Sequence, residues 1–167
     1  MREARKTNWV KAALCICMAF VLVASGFTPV QAASKGYSFK YKKVSIKPGD
    51  SAEKFLKKAG KPDSADRANS CATEGYDYTY DYGSFILTTC TKNKKKKAKQ
   101  YVCSIKLVTD KVKTAEGIKI GSTEKQVKKK YKNAKSKYGV YSATKGKTKI
   151  TIEVTDKKVT AIEITKK

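Results

Sequence analysis

A six-residue segment recurs in similar form in this chain. Ile46-Lys47-Pro48-Gly49-Asp50-Ser51 aligns without a gap onto Ile118-Lys119-Ile120-Gly121-Ser122-Thr123. The match continues with Phe55 against Val127 and Lys57-Lys58-Ala59 against Lys129-Lys130-Tyr131. A turn and a helix start that recur with this order predict two similar units in tandem, so the same elements should follow each copy.

In the first copy Asp50 and Glu53 have capping-box spacing. Ala52, Phe55, Leu56 and Ala59 then mark one apolar helical face, and Gly60 and Pro62 end it. In the second copy Thr123 and Gln126 offer the same box, with a helix to about Lys132. Phe39–Ile46 reads as a leading strand and 63–70 as a polar loop. Alternation then predicts three strands after each helix: 74–82, 84–91 and 101–108, and later 138–144, 147–155 and 158–165. The expected fold class is α+β, two tandem units of a helix plus three antiparallel strands, with the helices packed on one face of the sheet. The units are placed at 39–112 and 113–167, behind a short tether at 33–38.

Residues 1–32 read as a secretory signal peptide. Arg2, Arg5, Lys6 and Lys11 precede an uncharged apolar run from Ala12 to Phe27, and Val30 and Ala32 suit a cut after Ala32. The run is shorter than the ~20 residues a membrane-spanning helix needs, so no stable transmembrane segment is expected after cleavage. Cys15 and Cys17 lie early in the run, which argues against lipid anchoring. The expected location is secreted or extracellular, with possible association at the cell surface, and the expected state is a monomer.

The chain holds 38 Lys and Arg against 14 Asp and Glu. Beyond residue 32 there are 34 basic and 13 acidic residues, a net +21, and Arg67 is the sole arginine. Such a surface draws polyanions. Lysine neutralises phosphate as a point charge, whereas base reading favours the arginine fork, so specific nucleic-acid recognition is not expected. The chain has no histidine. That removes Ser-His-Asp and Cys-His hydrolysis and histidine-ligated zinc. No other catalytic grouping stands out; the expectation is a non-enzymatic protein with no cofactor and no metal.

Cys71, Cys90 and Cys103 follow the leader. If Ile86 faces Leu107 and Thr88 faces Ile105 across a hairpin, Cys90 faces Cys103, which makes that disulfide the first choice. The competing pair is Cys71–Cys90, and a third reading leaves three unbonded thiols. With Cys90 and Cys103 joined, Cys71 is free or pairs with another chain.

Tyr76, Tyr78, Tyr80 and Tyr82 alternate with Asp77, Thr79 and Asp81. The tyrosines serve either as an aromatic binding platform or as packing for the helix, leaving Asp77 and Asp81 on the open face. Lys94, Lys95, Lys96 and Lys97 sit in the hairpin loop 92–99, either a solvated turn or the contact point for a polyanion. These residues are the candidate binding set.

The two turn segments, with the joining stretch Thr114-Ala115-Glu116-Gly117, resemble the beta-lactamase inhibitory protein superfamily, in the form of secreted Gram-positive members. The resemblance covers most of 39–167 and rests on a short, mainly structural motif. It implies a helical layer on an antiparallel sheet whose open face or loops bind another protein. The leading functional expectation is therefore a secreted binding module, protein-binding or inhibitory, with an extracellular protein as partner. The alternative is a lysine-rich binder of anionic cell-wall polymers.

Overall fold

The computed structural model describes residues 36–167. The expected signal peptide, and residues 33–35 of the expected tether, lie outside the described residues. In chain order the elements are β1 (Phe39–Tyr41), β2 (Val44–Ile46), α1 (Glu53–Ala59), β3 (Ser64–Asn69), β4 (Tyr76–Asp81), β5 (Phe85–Cys90), β6 (Tyr101–Leu107), α2 (Glu124–Lys130), β7 (Lys135–Lys137), β8 (Val140–Lys145), β9 (Thr148–Thr155) and β10 (Lys158–Lys166).

The α+β expectation of two helix-plus-three-strand units is overturned. Strand accounts for 47% of the described residues and helix for 11%, which makes it a mostly β fold. Eight strands form one antiparallel sheet in the order β3-β4-β5-β6-β10-β9-β8-β7, and β1 pairs with β2 in a separate hairpin. Each helix is followed by a four-stranded meander, and β6 and β10 join the two meanders into one sheet, with Leu107 opposite Ile162 and Ile105 opposite Ile164.

The strands missing from the sequence reading are the two edges. β3 replaces most of the expected loop 63–70, and every one of its residues is exposed. β7 is Lys-Ser-Lys, also exposed throughout. Neither carries an apolar alternation, because an edge strand facing water is held by its ladder rather than by burial. Short polar edges also deter pairing with another chain. The expected strand 39–46 is broken into a hairpin by Lys42, whose φ is +50°.

The recurring segment has a common geometry in both places. Asp50 N donates to Lys47 O (3.1 Å), and Lys47 N donates to the Asp50 carboxylate (3.1 Å). Ser122 N donates to Lys119 O (3.0 Å), and Lys119 N donates to Ser122 Oγ (3.0 Å). Gly49 and Gly121 have φ of +93° and +81°, a conformation that glycine adopts without side-chain strain. Each turn then docks on the last strand of its meander: Gly49 N to Val102 O (2.7 Å) in one case and Gly121 N to Val159 O (2.8 Å) in the other. Asp50 is thus a turn lock and not the helix cap expected of it; α1 starts from Ala52 with no side-chain cap. Thr123 and Gln126 do form the capping box, and α2 ends at Lys130.

Both helices lie on one face of the sheet with the β1–β2 hairpin. Phe55 and Ala59 of α1 and Val127 of α2 are buried there with Phe85, Leu87, Ile105, Leu107, Ile150, Ile152, Ile162 and Ile164. Phe85 is the hub of an aromatic cluster, with ring centroids 4.8 Å from Phe39, Tyr41 and Tyr82. Residues 36–38 are docked as well: Tyr37 N donates to Thr148 Oγ1 (2.6 Å), and its ring lies 5.7 Å from that of Tyr131. The Tyr131 hydroxyl donates to the Glu116 carboxylate (3.0 Å) and lies 2.9 Å from that of Thr114. Burial raises the Tyr131 phenol well above its ordinary pKa.

Two measurements probe this packing. Phe85→Ala empties the aromatic cluster and should lower the free energy of unfolding by about 3–5 kcal/mol, read from denaturant curves. The second concerns Glu124, whose carboxylate is held below its usual range by Lys128 (2.8 Å) and then by the Tyr141 hydroxyl. A lowered folded pKa contributes stability above the ordinary carboxylate pKa, and this is lost as pH falls through the folded value. The stability gap between the wild type and Glu124→Gln should therefore be present at neutral pH and close as the acid range is crossed.

Candidate binding surfaces

The pairing of β4 with β5 decides where the tyrosines point. Tyr80 lies opposite Leu87 and Tyr78 opposite Thr89, whereas Asp81 lies opposite Ile86 and Asp77 opposite Cys90. Leu87 and Thr89 are buried under the helical layer. Paired residues share a face, so Tyr78 and Tyr80 are on the helix side, and Asp77, Thr79 and Asp81 are on the opposite, open face. The candidate set is thereby divided between the two sides of the sheet.

The tyrosines do not share one environment. Tyr82 packs among Tyr41, Phe55 and Phe85, with ring centroids at 6.1, 6.5 and 4.8 Å, and burial raises its phenol pKa. Tyr76, Tyr78 and Tyr80 remain half-buried, at successive centroid spacings of 6.4 Å. The rings of Tyr78 and Tyr80 are nearly parallel, at 7°. The Arg67 guanidinium sits 4.7 Å from the Tyr76 ring centroid, and Lys94 Nζ sits 5.6 Å from it. Tyr80 OH donates to Gln100 Oε1 (2.9 Å), which also accepts from Thr89 Oγ1 (2.7 Å).

The lysine loop lies between β5 and β6 and carries Lys94, Lys95, Lys96 and Lys97, all exposed. Strand aromatics flank it. Besides Lys94 over Tyr76, Lys92 and Lys99 each place Nζ 5.5 Å from the Tyr101 ring centroid. Such contacts hold a cation near a ring without neutralising it. Between the loop and α1 runs a cleft of about 450 Å³ lined by Glu53, Leu56, Lys97, Ala98, Lys99 and Gln100. The Glu53 carboxylate on its wall is paired with Lys57 (2.9 Å).

Cys90 and Cys103 are joined by a disulfide, and Cys71 is a free, exposed thiol. The register behind the expected pairing is corrected. Phe85, not Ile86, faces Leu107, and Leu87, not Thr88, faces Ile105. The cause is burial: Phe85 and Leu87 point into the core, so Ile86 and Thr88 point out. The ladder then shifts between Thr88 and Thr89, leaving Cys103 as the extra residue on β6. That irregularity turns Cys103 toward the side of Cys90, with Cα atoms 6.1 Å apart, inside the span a disulfide bridges.

On the open face, β3, β4 and β5 present Asp66, Asp77, Thr79, Asp81 and Thr88. No lysine occurs between Lys61 and Lys92, although Asp63, Asp66, Glu74, Asp77 and Asp81 do. One end of the open face is therefore acidic in a strongly basic protein. Farther along the sheet Glu163 lies opposite Lys106.

Arg67, Gln100 and Tyr101 were not among the candidate residues. Arg67 was hidden because β3 has no strand signal. Gln100 and Tyr101 become informative only when the loop folds beside the tyrosine strand. Among the described residues no group of three or more His, Cys, Asp or Glu is placed to hold a metal ion. No helix among them is long and apolar enough to cross a membrane. Compared with family profiles, curated proteins and solved structures, the chain matches none of them.

Thiol chemistry gives a direct check. Beyond residue 32, the native protein should take up one equivalent of an alkylating reagent, at Cys71, and acquire two more sites only after reduction. Cys90→Ser with Cys103→Ser should lower stability by about 3 kcal/mol, the value expected for a loop of this length.

Proposed function

We propose that the protein is a non-catalytic binding module acting outside the cytoplasm, and that it takes a protein partner on the open face of the eight-stranded sheet. The observation that carries this reading is the lysine-free acidic end of that face, built by Asp66, Asp77, Thr79, Asp81 and Thr88 on three adjacent strands. Both helices pack on the other side, so these carboxylates and hydroxyls face away from the core. Cross-interface charge complementarity governs encounter and selectivity, so the partner is expected to present basic groups against the carboxylates. The resemblance of the two turn segments to the beta-lactamase inhibitory protein superfamily supports a protein ligand, without carrying over any inhibitory target.

Secretion follows from the basic and apolar layout of residues 1–32 and is part of the proposal. The disulfide is in keeping with an oxidising compartment.

A photo-crosslinking side chain at position 79 should trap a protein partner saturably, whereas the same group at Lys130 on α2 should not. Asp66→Lys with Asp77→Lys should weaken capture at least tenfold with no loss of folding. Equal trapping from both positions, or capture indifferent to the charge reversal, would refute the open face as the binding surface.

A further inference from the structure

The helix side of the sheet carries a second surface of opposite character. There the half-buried rings of Tyr76, Tyr78 and Tyr80 form a ladder in 6.4 Å steps. Its first ring holds two cations, Arg67 at 4.7 Å and Lys94 at 5.6 Å from the centroid. Its last ring is tied through Tyr80 OH and Gln100 (2.9 Å) to the cleft beneath Lys97 and Lys99. The ladder and cleft thus make one elongated track with cations at both ends.

Three features of this track point to its ligand. First, Arg67 and Lys94 meet aromatic faces and have no carboxylate within ion-pairing distance among the described residues, so their charge is available to an anion. Second, the carboxylate lining the cleft, Glu53, is matched by Lys57 and also feels the positive field of Lys99, so lysine sets the sign of the cleft. Third, phenol rings offer both apolar surface and a hydroxyl at low conformational cost, which suits a ligand of rings edged with hydroxyls. Bare lysine clusters attract any polyanion; a spaced tyrosine row between cations adds a requirement for rings.

We infer that Arg67, Tyr76, Tyr78, Tyr80 and Lys94, continued by the cleft at Gln100, form a binding site for an anionic sugar polymer. Sugar rings lie along the tyrosines, and carboxylate or phosphodiester groups meet Arg67 and Lys94 at one end and Lys97 and Lys99 at the other. The site is separate from the acidic open face and does not depend on the protein-binding reading. It also gives the lysine loop a directional role, because the loop supplies cations to both ends of the track.

Binding of the purified protein to polygalacturonate and to a phosphodiester-linked hexosamine polymer is measured by titration across a salt series, with neutral dextran and a single-stranded oligonucleotide alongside. Binding to one or both anionic polymers and not to dextran is expected, and the two arms identify which anion the site takes. Tyr76→Ser with Tyr78→Ser should weaken binding about tenfold or more while every lysine is retained. Lys94→Gln with Lys97→Gln should lower the dependence of log K on log salt by about one to two, as lost cation contacts must. Asp66→Lys with Asp77→Lys on the open face should not weaken it. Thermal unfolding of each variant verifies the fold, and Tyr76→Phe with Tyr78→Phe provides a gentler pair that should retain part of the affinity. Unchanged binding in a folded tyrosine-to-serine variant, equal binding of dextran, tighter binding of the oligonucleotide than of either polymer, or no binding of any polymer would each overturn the assignment.

Discussion

The pairing of β6 with β10 is the constraint on which the rest depends. It sets Leu107 against Ile162 and Ile105 against Ile164, all almost fully buried. Each meander alone would end in an uncovered apolar strand with unpaired backbone groups, a poor edge in water. Joining the two last strands satisfies both backbones at once. It also sends the polar strands β3 and β7 to the outside, where exposed ladders are tolerable. A break at this seam would expose both halves of the core, so the sheet is expected to melt as one cooperative structure.

The turns at Gly49 and Gly121 reinforce that seam from above. Each is closed by a short side-chain oxygen, the Asp50 carboxylate or the Ser122 hydroxyl, and each hydrogen-bonds to a strand of the central pair. The seven-residue helices are too short to persist by propensity alone. They are fixed because the turns deliver them to the sheet and because Phe55 and Val127 are buried against it. An exposed i,i+4 ion pair recurs on both, Glu53–Lys57 and Glu124–Lys128, and each adds only a modest increment.

Much of this organisation was legible in the residues. The repeat named the turns, Thr123 and Gln126 marked a real cap, and six strands followed from period-two alternation. The fold class was not legible, because two of the eight strands carry no burial signal: Ser64–Asn69 and Lys135–Lys137 are strands by pairing alone. The register of β5 against β6 was missed by one residue, since Ile86 and Phe85 look equally apolar and only the aromatic cluster selects Phe85. The candidate residues were found as types but not as places. Alternation put the tyrosines and the aspartates on opposite faces without saying which face the helices cover, and Arg67 came into view only when β3 brought it beside Tyr76.

The two units differ most in how their last two strands are joined. Between β9 and β10 the chain reverses through Asp156 and Lys157, both at positive φ, the tight two-residue hairpin. At the equivalent position the first unit spends residues 91–100 instead, and pins the strands beside them with a disulfide. The second unit closes with no counterpart to residues 92–99, whereas Thr91 and Gln100 at the two ends are themselves tied to Tyr76 and Tyr80. Doubling the length of a flexible loop costs only about 0.6 kcal/mol in closure entropy. The lysine segment is therefore a cassette: it can be shortened, lengthened or exchanged for another sequence at small thermodynamic cost, and the protein offers a ready frame for presenting chosen peptides beside a fixed row of aromatic rings.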